Sequence, residues 1–243
     1  MQRLIVVGLA CAHPNHSHRP SIREALDILN AKFYPWDKAS GNLTDFHAPL
    51  SFSIDSHNNK VFGDGLAFFL APVQFPAARE AGGGLGLARE NHTSKWPFLA
   101  IEFDSFSNSW DPPSKHVGID INSVISNATS AWLSSIEDGR KIYASIKYDS
   151  ILKSLRVTFT GYISNQKIEQ RLDYHVDLRD FLPEWVTVGF SVATGETFEK
   201  HVLYSLYFTS SLQTNDKPAT PPIDNAPRIN IPTDSTPPDR SNK

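Results

Sequence analysis

The chain has 243 residues, with 23 Lys and Arg against 26 Asp and Glu, a formal net charge of −3. That length allows one or two domains and ample chain to bury a core. No basic field exists to attract nucleic acid, and no apolar run reaches the ~18 residues of a membrane span. A single cysteine, Cys11, excludes an internal disulfide framework.

In chain order, the start imitates a signal peptide: Arg3, then apolar Leu4 to Ala12, ending Ala10-Cys11-Ala12. It is shorter than the ~15–30 residues of a cleavable signal, so no convincing leader is expected. Arg19 to Asn30 predicts a helix, because Pro20 suits a first turn and Ile22, Ala25, Leu26 and Leu29 recur at helical spacing. From about Phe33 to Leu212 the period changes to two. Leu50, Phe52 and Ile54 alternate with Ser51, Ser53 and Asp55. Similar runs begin at Leu99, Val117, Leu155, Val186 and Val202, the last predicting Val202, Tyr204, Leu206 and Phe208 on one face. Strands of this kind, separated by Gly, Pro, Asn and Ser, predict an all-β antiparallel sandwich or barrel. From Gln213 onward Pro, Asp, Asn, Ser and Thr dominate, with too little apolar side chain to fold, so 213–243 is expected to be a disordered linker. Sequons at Asn15, Asn42, Asn91 and Asn127 lean towards a secreted glycoprotein.

The strand Leu99 to Phe106 carries the chemistry. Leu99, Ile101 and Phe103 point into a core, which puts Glu102, Asp104 and Phe106 on the opposite face. Neighbours on one strand face sit roughly 6.6–7 Å apart, so two carboxylates there repel unless a cation lies between them. Asn108, Asp111 and His116 follow. Two readings stay open on spacing alone. One is a two-metal loop whose oxygen-rich half suits Ca²⁺ and whose imidazole half suits Mn²⁺ or Zn²⁺. The other is a solvated acidic strand edge with a surface histidine.

Two glycine features flank this strand. Gly63-Asp64-Gly65 opens the apolar run Leu66 to Pro72, and an acid between glycines points to a backbone conformation most residues resist. Gly82-Gly83-Gly84-Leu85-Gly86 lacks the ending of a phosphate loop. It reads either as a flexible loop or as backbone N–H groups open to a polar ligand.

Taken together, Gly63 to Pro72, Ile101 to Asn108, Trp110-Asp111-Pro112, His116 to Ser123, Pro183-Glu184-Trp185 and Val188 to Gly195 resemble legume lectins. They are especially similar to the lectin domains of plant L-type lectin receptor kinases, over about Phe33 to Leu212. The resemblance implies a jelly-roll β-sandwich that binds carbohydrate and is not an enzyme. It implies Glu102, Asp104, Asp111 and His116 as ligands of a transition metal, usually Mn²⁺. Asp104, the Phe106 carbonyl, Asn108 and Asp111 would then hold Ca²⁺. Asp64, reached through a cis peptide in the family, would accept hydrogen bonds from two sugar hydroxyls. Asn108 and the Gly83 N–H would add polar contacts, and Phe106 would stack on the sugar. A short loop after Gly195 would bring the Glu196 and Thr197 N–H groups to an equatorial hydroxyl, as in mannose and glucose binders. An extracellular or cell-surface location is expected, and a homodimer through the back sheet is compatible with the family.

The front of the chain departs from that family. The resemblance leads us to expect that the first strand of a complete domain is missing, and Leu4 to Asn30 resembles the last helices of a receptor kinase. With no glycine loop, catalytic aspartate or Asp-Phe-Gly, kinase activity is excluded. The expected division is therefore 1–32 kinase-like, 33–212 lectin-like and truncated at its front, and 213–243 linker. A degenerate fragment without ligand is the first rival function. A jelly-roll glycoside hydrolase is the second, but the strand offers no further Glu in register to complete an acid and nucleophile pair.

Overall fold

The computed structural model describes residues 32–76, 82–88, 92–134 and 138–212. The helix expected over 19–30, the kinase-like segment, the linker and the sequons at Asn15 and Asn91 lie outside them. The described residues form strands with one short 3-10 helix, Leu178–Asp180, in two antiparallel sheets. The front sheet runs β1 (Lys32–Phe33), β10 (Val186–Ala193), β3 (Gly65–Pro72), β4 (Leu99–Asp104), β5 (His116–Ile121), β6 (Ala128–Ala131). The back sheet runs β11 (Lys200–Leu206), β2 (Thr44–Asp55), β7 (Ile142–Asp149), β8 (Ser154–Ile163), β9 (Gln166–His175), with β12 (Thr209–Leu212) also on β2.

Alternation builds the core between the sheets. Phe52 and Ile54 of β2 meet Leu66, Phe68 and Leu70 of β3 and Leu99, Ile101 and Phe103 of β4 in one buried cluster. The Phe52 and Phe103 rings pack edge to face, centroids 4.8 Å apart. The unbroken apolar run of β3 has a separate cause. Its other face, Ala67, Phe69 and Ala71, is covered by Leu85, Leu87 and Ala88 from the glycine loop. That loop is therefore a packed turn, anchored by apolar side chains, and not a free tether. A strand buried on both faces cannot alternate in polarity.

Two expectations need correction. Val202 and Tyr204 do not face the core; Tyr204 is 40% exposed, while His201 and Leu203 are buried. The register against β2 shifts between Leu203 and Ser205, and this bulge returns Leu206 and Phe208 to the inside. A period-two reading carried back from Phe208 therefore picks the wrong face at its start. Similarly, β4 ends at Asp104, so Phe106 and Asn108 belong to the following loop rather than to the strand face of Glu102.

Candidate functional site

Pairing of β4 with β5 sets Asp104 opposite His116 and Glu102 opposite Gly118. A Cβ at position 118 would collide with the Glu102 carboxylate and the Ser126 hydroxyl, so glycine there makes room for both. The imidazole Nε2 of His116 lies 2.9 Å from Glu102 Oε1. Ligand-type atoms of Glu102, Asp104 and His116 all fall within 4.8 Å of one another. These residues are 1%, 2% and 0% exposed, which removes the solvated-edge reading. The loop beyond them folds onto its own acids. The Phe106 N–H donates to Asp104 Oδ1 at 2.7 Å and the Asn108 N–H to Asp111 Oδ2 at 2.8 Å.

The electrostatics of this cluster suit a cation. Burial, reinforced by the charges of Glu102 and Asp111, pushes Asp104 up to about 10. Burial likewise raises Asp111, with Glu102 adding to it. Asp120 is fully buried and is pushed well up by burial and by Glu102. Burial alone would lower His116, but the hydrogen bond and charge of Glu102, with Asp111, outweigh it and raise the imidazole. Buried Asn108 Oδ1 finds no hydrogen-bond partner among the described residues. Carboxylates that repel one another, with one imidazole and an orphaned amide oxygen, fit hard divalent cations bound through oxygen and nitrogen.

Beside this cluster three loops converge on Asp64. The Gly63–Asp64 peptide bond is cis. The Asp64 N–H donates to Ala193 O at 3.1 Å, and Asp64 O accepts from the Ser105 N–H at 3.0 Å. The Gly195 backbone stands against its carboxylate: a Cβ there would lie 3.1 Å from Asp64 Oδ2 and 3.2 Å from Gly82 Cα. Burial and the neighbouring Glu199 carboxylate push Asp64 up to about 6, against the opposing pull of His201 and the Gly195 N–H. Asp64 Oδ2 is buried with no side-chain or backbone partner among the described residues. The Phe106 side chain presses on Gly63, and Asn108 presses on Gly83, leaving no space for a Cβ at either glycine. Thus Asp64, Gly83, Phe106 and Asn108 are brought together. Glu196, exposed, and Thr197, half-buried, follow Gly195 on the adjoining loop.

Several buried polar residues were missed in the sequence. Glu199, just before β11, is 0% exposed, and its two oxygens accept from Ser105 Oγ at 2.7 and 2.8 Å. His201 Nε2 lies 2.8 Å from Glu199 Oε1. Ser126 Oγ sits 2.5 Å from Glu102 Oε1 and 2.6 Å from Asp120 Oδ1, bracing the metal-type cluster from behind. Period two through Glu199, His201 and Leu203 was the available signal, hidden by the bulge.

Two facing antiparallel sheets thus carry, at one end of the front sheet, buried acids and an imidazole beside a loop-built polar cleft. The chain belongs to the legume lectin domain family, which matches residues 27–224. It is 41% identical to Lectin 10 of Medicago truncatula over 186 residues, 73% of this chain and 64% of that protein. It is 40% identical over 186 residues to the alpha-methyl-mannoside-specific lectin of Arachis hypogaea, covering 73% of this chain and 64% of that one. Among solved structures, winged bean acidic lectin complexed with methyl-alpha-D-galactose superposes with a TM-score of 0.71 at 30% identity, over 88% of this chain and 93% of that chain. The chain thus spans slightly under two thirds of the length of the first two relatives.

Proposed function

We propose that this protein binds glycans in the cleft of Asp64, Gly83, Phe106 and Asn108, with the N–H groups of Glu196 and Thr197 alongside. The observation that carries the reading is the buried, unpartnered Asp64 Oδ2 at the meeting point of three loops. A neutral, hydroxyl-rich ligand needs fixed acceptors and donors beside one apolar wall. Asp64 supplies the acceptor, backbone N–H groups and the Asn108 amide supply donors, and Phe106 supplies the wall. Glu102, Asp104, Asp111 and His116 would hold Mn²⁺, while Asp104, the Phe106 carbonyl, Asn108 and Asp111 would hold Ca²⁺. When bound, such ions supply positive charge that fixes the loop carrying Phe106 and Asn108; they do no chemistry. No catalytic pair is assigned, because Glu102 and Asp104 are engaged by His116, Ser126 and the Phe106 N–H.

Sugar choice rests on the loop between β10 and β11, residues 194–199. Its shortness favours an equatorial hydroxyl and hence mannose or glucose, which agrees with the mannoside-specific relative and contrasts with the galactoside-bound one. A site built for one hydroxyl orientation rejects the epimer by leaving buried polar groups unpaired, at ~1–3 kcal/mol. Isothermal titration with methyl mannoside and methyl galactoside tests this. Tighter mannoside binding, in the millimolar range, is expected, and a galactoside preference would overturn the loop argument. The same reading puts the protein outside the cytosol or at the cell surface. No helix among the described residues is long and apolar enough to cross a membrane, and the exposed sequon at Asn127 is a site where mass spectrometry would detect a glycan.

A further inference from the structure

Glu199 stands apart from the acids of the metal-type cluster. It is fully buried, its side chain reaches Ser105 and His201, and the cleft described above makes no direct use of it. We propose that Glu199 is a positioning residue that clamps loop 194–198 and the Asp64 backbone into one unit, and so sets which sugar hydroxyl orientation the cleft accepts. The specificity half of this inference rests on glycan binding at Asp64.

The path of contacts is continuous. His201 sits on β11, opposite Ile54 of β2, and is held by the back sheet. Its Nε2 meets Glu199 Oε1 at 2.8 Å. Both Glu199 oxygens take the Ser105 hydroxyl, at 2.7 and 2.8 Å. The Ser105 N–H in turn holds the Asp64 carbonyl at 3.0 Å. From the front sheet, Ala193 O accepts from the Asp64 N–H at 3.1 Å, and the Gly195 backbone lies against the Asp64 carboxylate. The loop is therefore tied to Asp64 at its start through Ala193 and at its end through Glu199. Between these ties Glu196 and Phe198 are exposed and Thr197 half-buried. A buried carboxylate is costly unless fully paired, and an apolar side chain at 199 would pack there without taking the Ser105 hydroxyl. The carboxylate is what links the loop's end to the residue that holds Asp64. A loop fixed at both ends presents its N–H groups in one geometry, which is what discrimination between epimers requires.

The test uses the full chain loaded with Ca²⁺ and Mn²⁺, with Glu199→Gln and Ser105→Ala as the variants. Glu199→Gln keeps volume but loses one charged acceptor, and Ser105→Ala removes a single hydroxyl. Hydrogen exchange over 194–198, bound metal and the methyl mannoside to methyl galactoside affinity ratio are read together. Exchange is expected to quicken at least tenfold over 194–198, and the affinity ratio to fall at least threefold, with metal content at the parental level. A purely structural role would lower the melting temperature but leave the ratio and the local exchange as in the parent, and that result overturns the proposal. If the parent binds neither glycoside, the glycan reading and the specificity role fall together. The exchange data then still decide the clamp, for or against.

Discussion

Asp64 is held in place by its backbone and left open at one oxygen. Its N–H and C=O are both occupied, by Ala193 and Ser105, so removing the side chain leaves the loop's backbone anchors in place. Each charge-assisted hydrogen bond from a sugar hydroxyl is worth ~1.5–3 kcal/mol. Asp64→Ala is therefore expected to weaken methyl mannoside binding at least tenfold by calorimetry while bound Ca and Mn stay at the parental level. Parental affinity in the variant would remove Asp64 from the site. Much of this was legible at the residue level: an acid between glycines, and carboxylates alternating on one strand. Glu199 was not. Its burial follows the face of His201 and Leu203, which the β11 bulge between Leu203 and Ser205 puts out of step with Leu206 and Phe208.

At the scale of elements, β4, β5 and the loop joining them behave as one electrostatic unit. Without ions the Asp104 carboxyl sits at about 10 against an ordinary 3.8. Between those values the folded chain keeps a proton that the unfolded chain releases, so stability falls as pH rises. The raised His116 acts in the same direction, its contribution being lost as pH rises through its folded value. Paired surface acids such as Asp173 and Asp177 are lowered, so their contribution changes only below about 4 and does not intrude. Bound cations reverse the sign, because their ligands must be deprotonated. Thermal melts in EDTA are thus expected to show a lower melting temperature at pH 8 than at pH 5, and melts in Ca²⁺ and Mn²⁺ the opposite. Parallel pH trends in both buffers would contradict the assignment of these acids to metal. Strand positions were readable from period two, but the two-faced burial of β3 depended on a glycine loop packing back over it. No pattern within β3 announces that cover.

For the whole molecule, the two sheets divide the labour. The front sheet carries the candidate site at one end, while among the described residues the back sheet ends in β11 on one side and β9 on the other. An edge strand offers unpaired backbone groups to another strand. Residues 33–212 alone are expected to self-associate through the β11 edge of the back sheet, seen as concentration-dependent elution in size-exclusion chromatography with light scattering. A monomer at every concentration would show that the edge is protected. The all-β sandwich itself was legible from many short alternating strands, because that pattern has few other ways to bury its apolar faces. Which strands would neighbour one another was not, since β10 lies between β1 and β3 and β11 beside β2 only through long-range pairing. On the proposed function, cations organise a glycan cleft at one end of the front sheet. Calorimetric titration of methyl mannoside into the Ca²⁺- and Mn²⁺-loaded protein, into the same protein after exhaustive chelation, and again after both ions are returned tests it most directly. Binding that disappears on chelation and returns with the ions is the predicted result; sugar affinity unchanged by chelation, or absent in the loaded protein, would contradict the account.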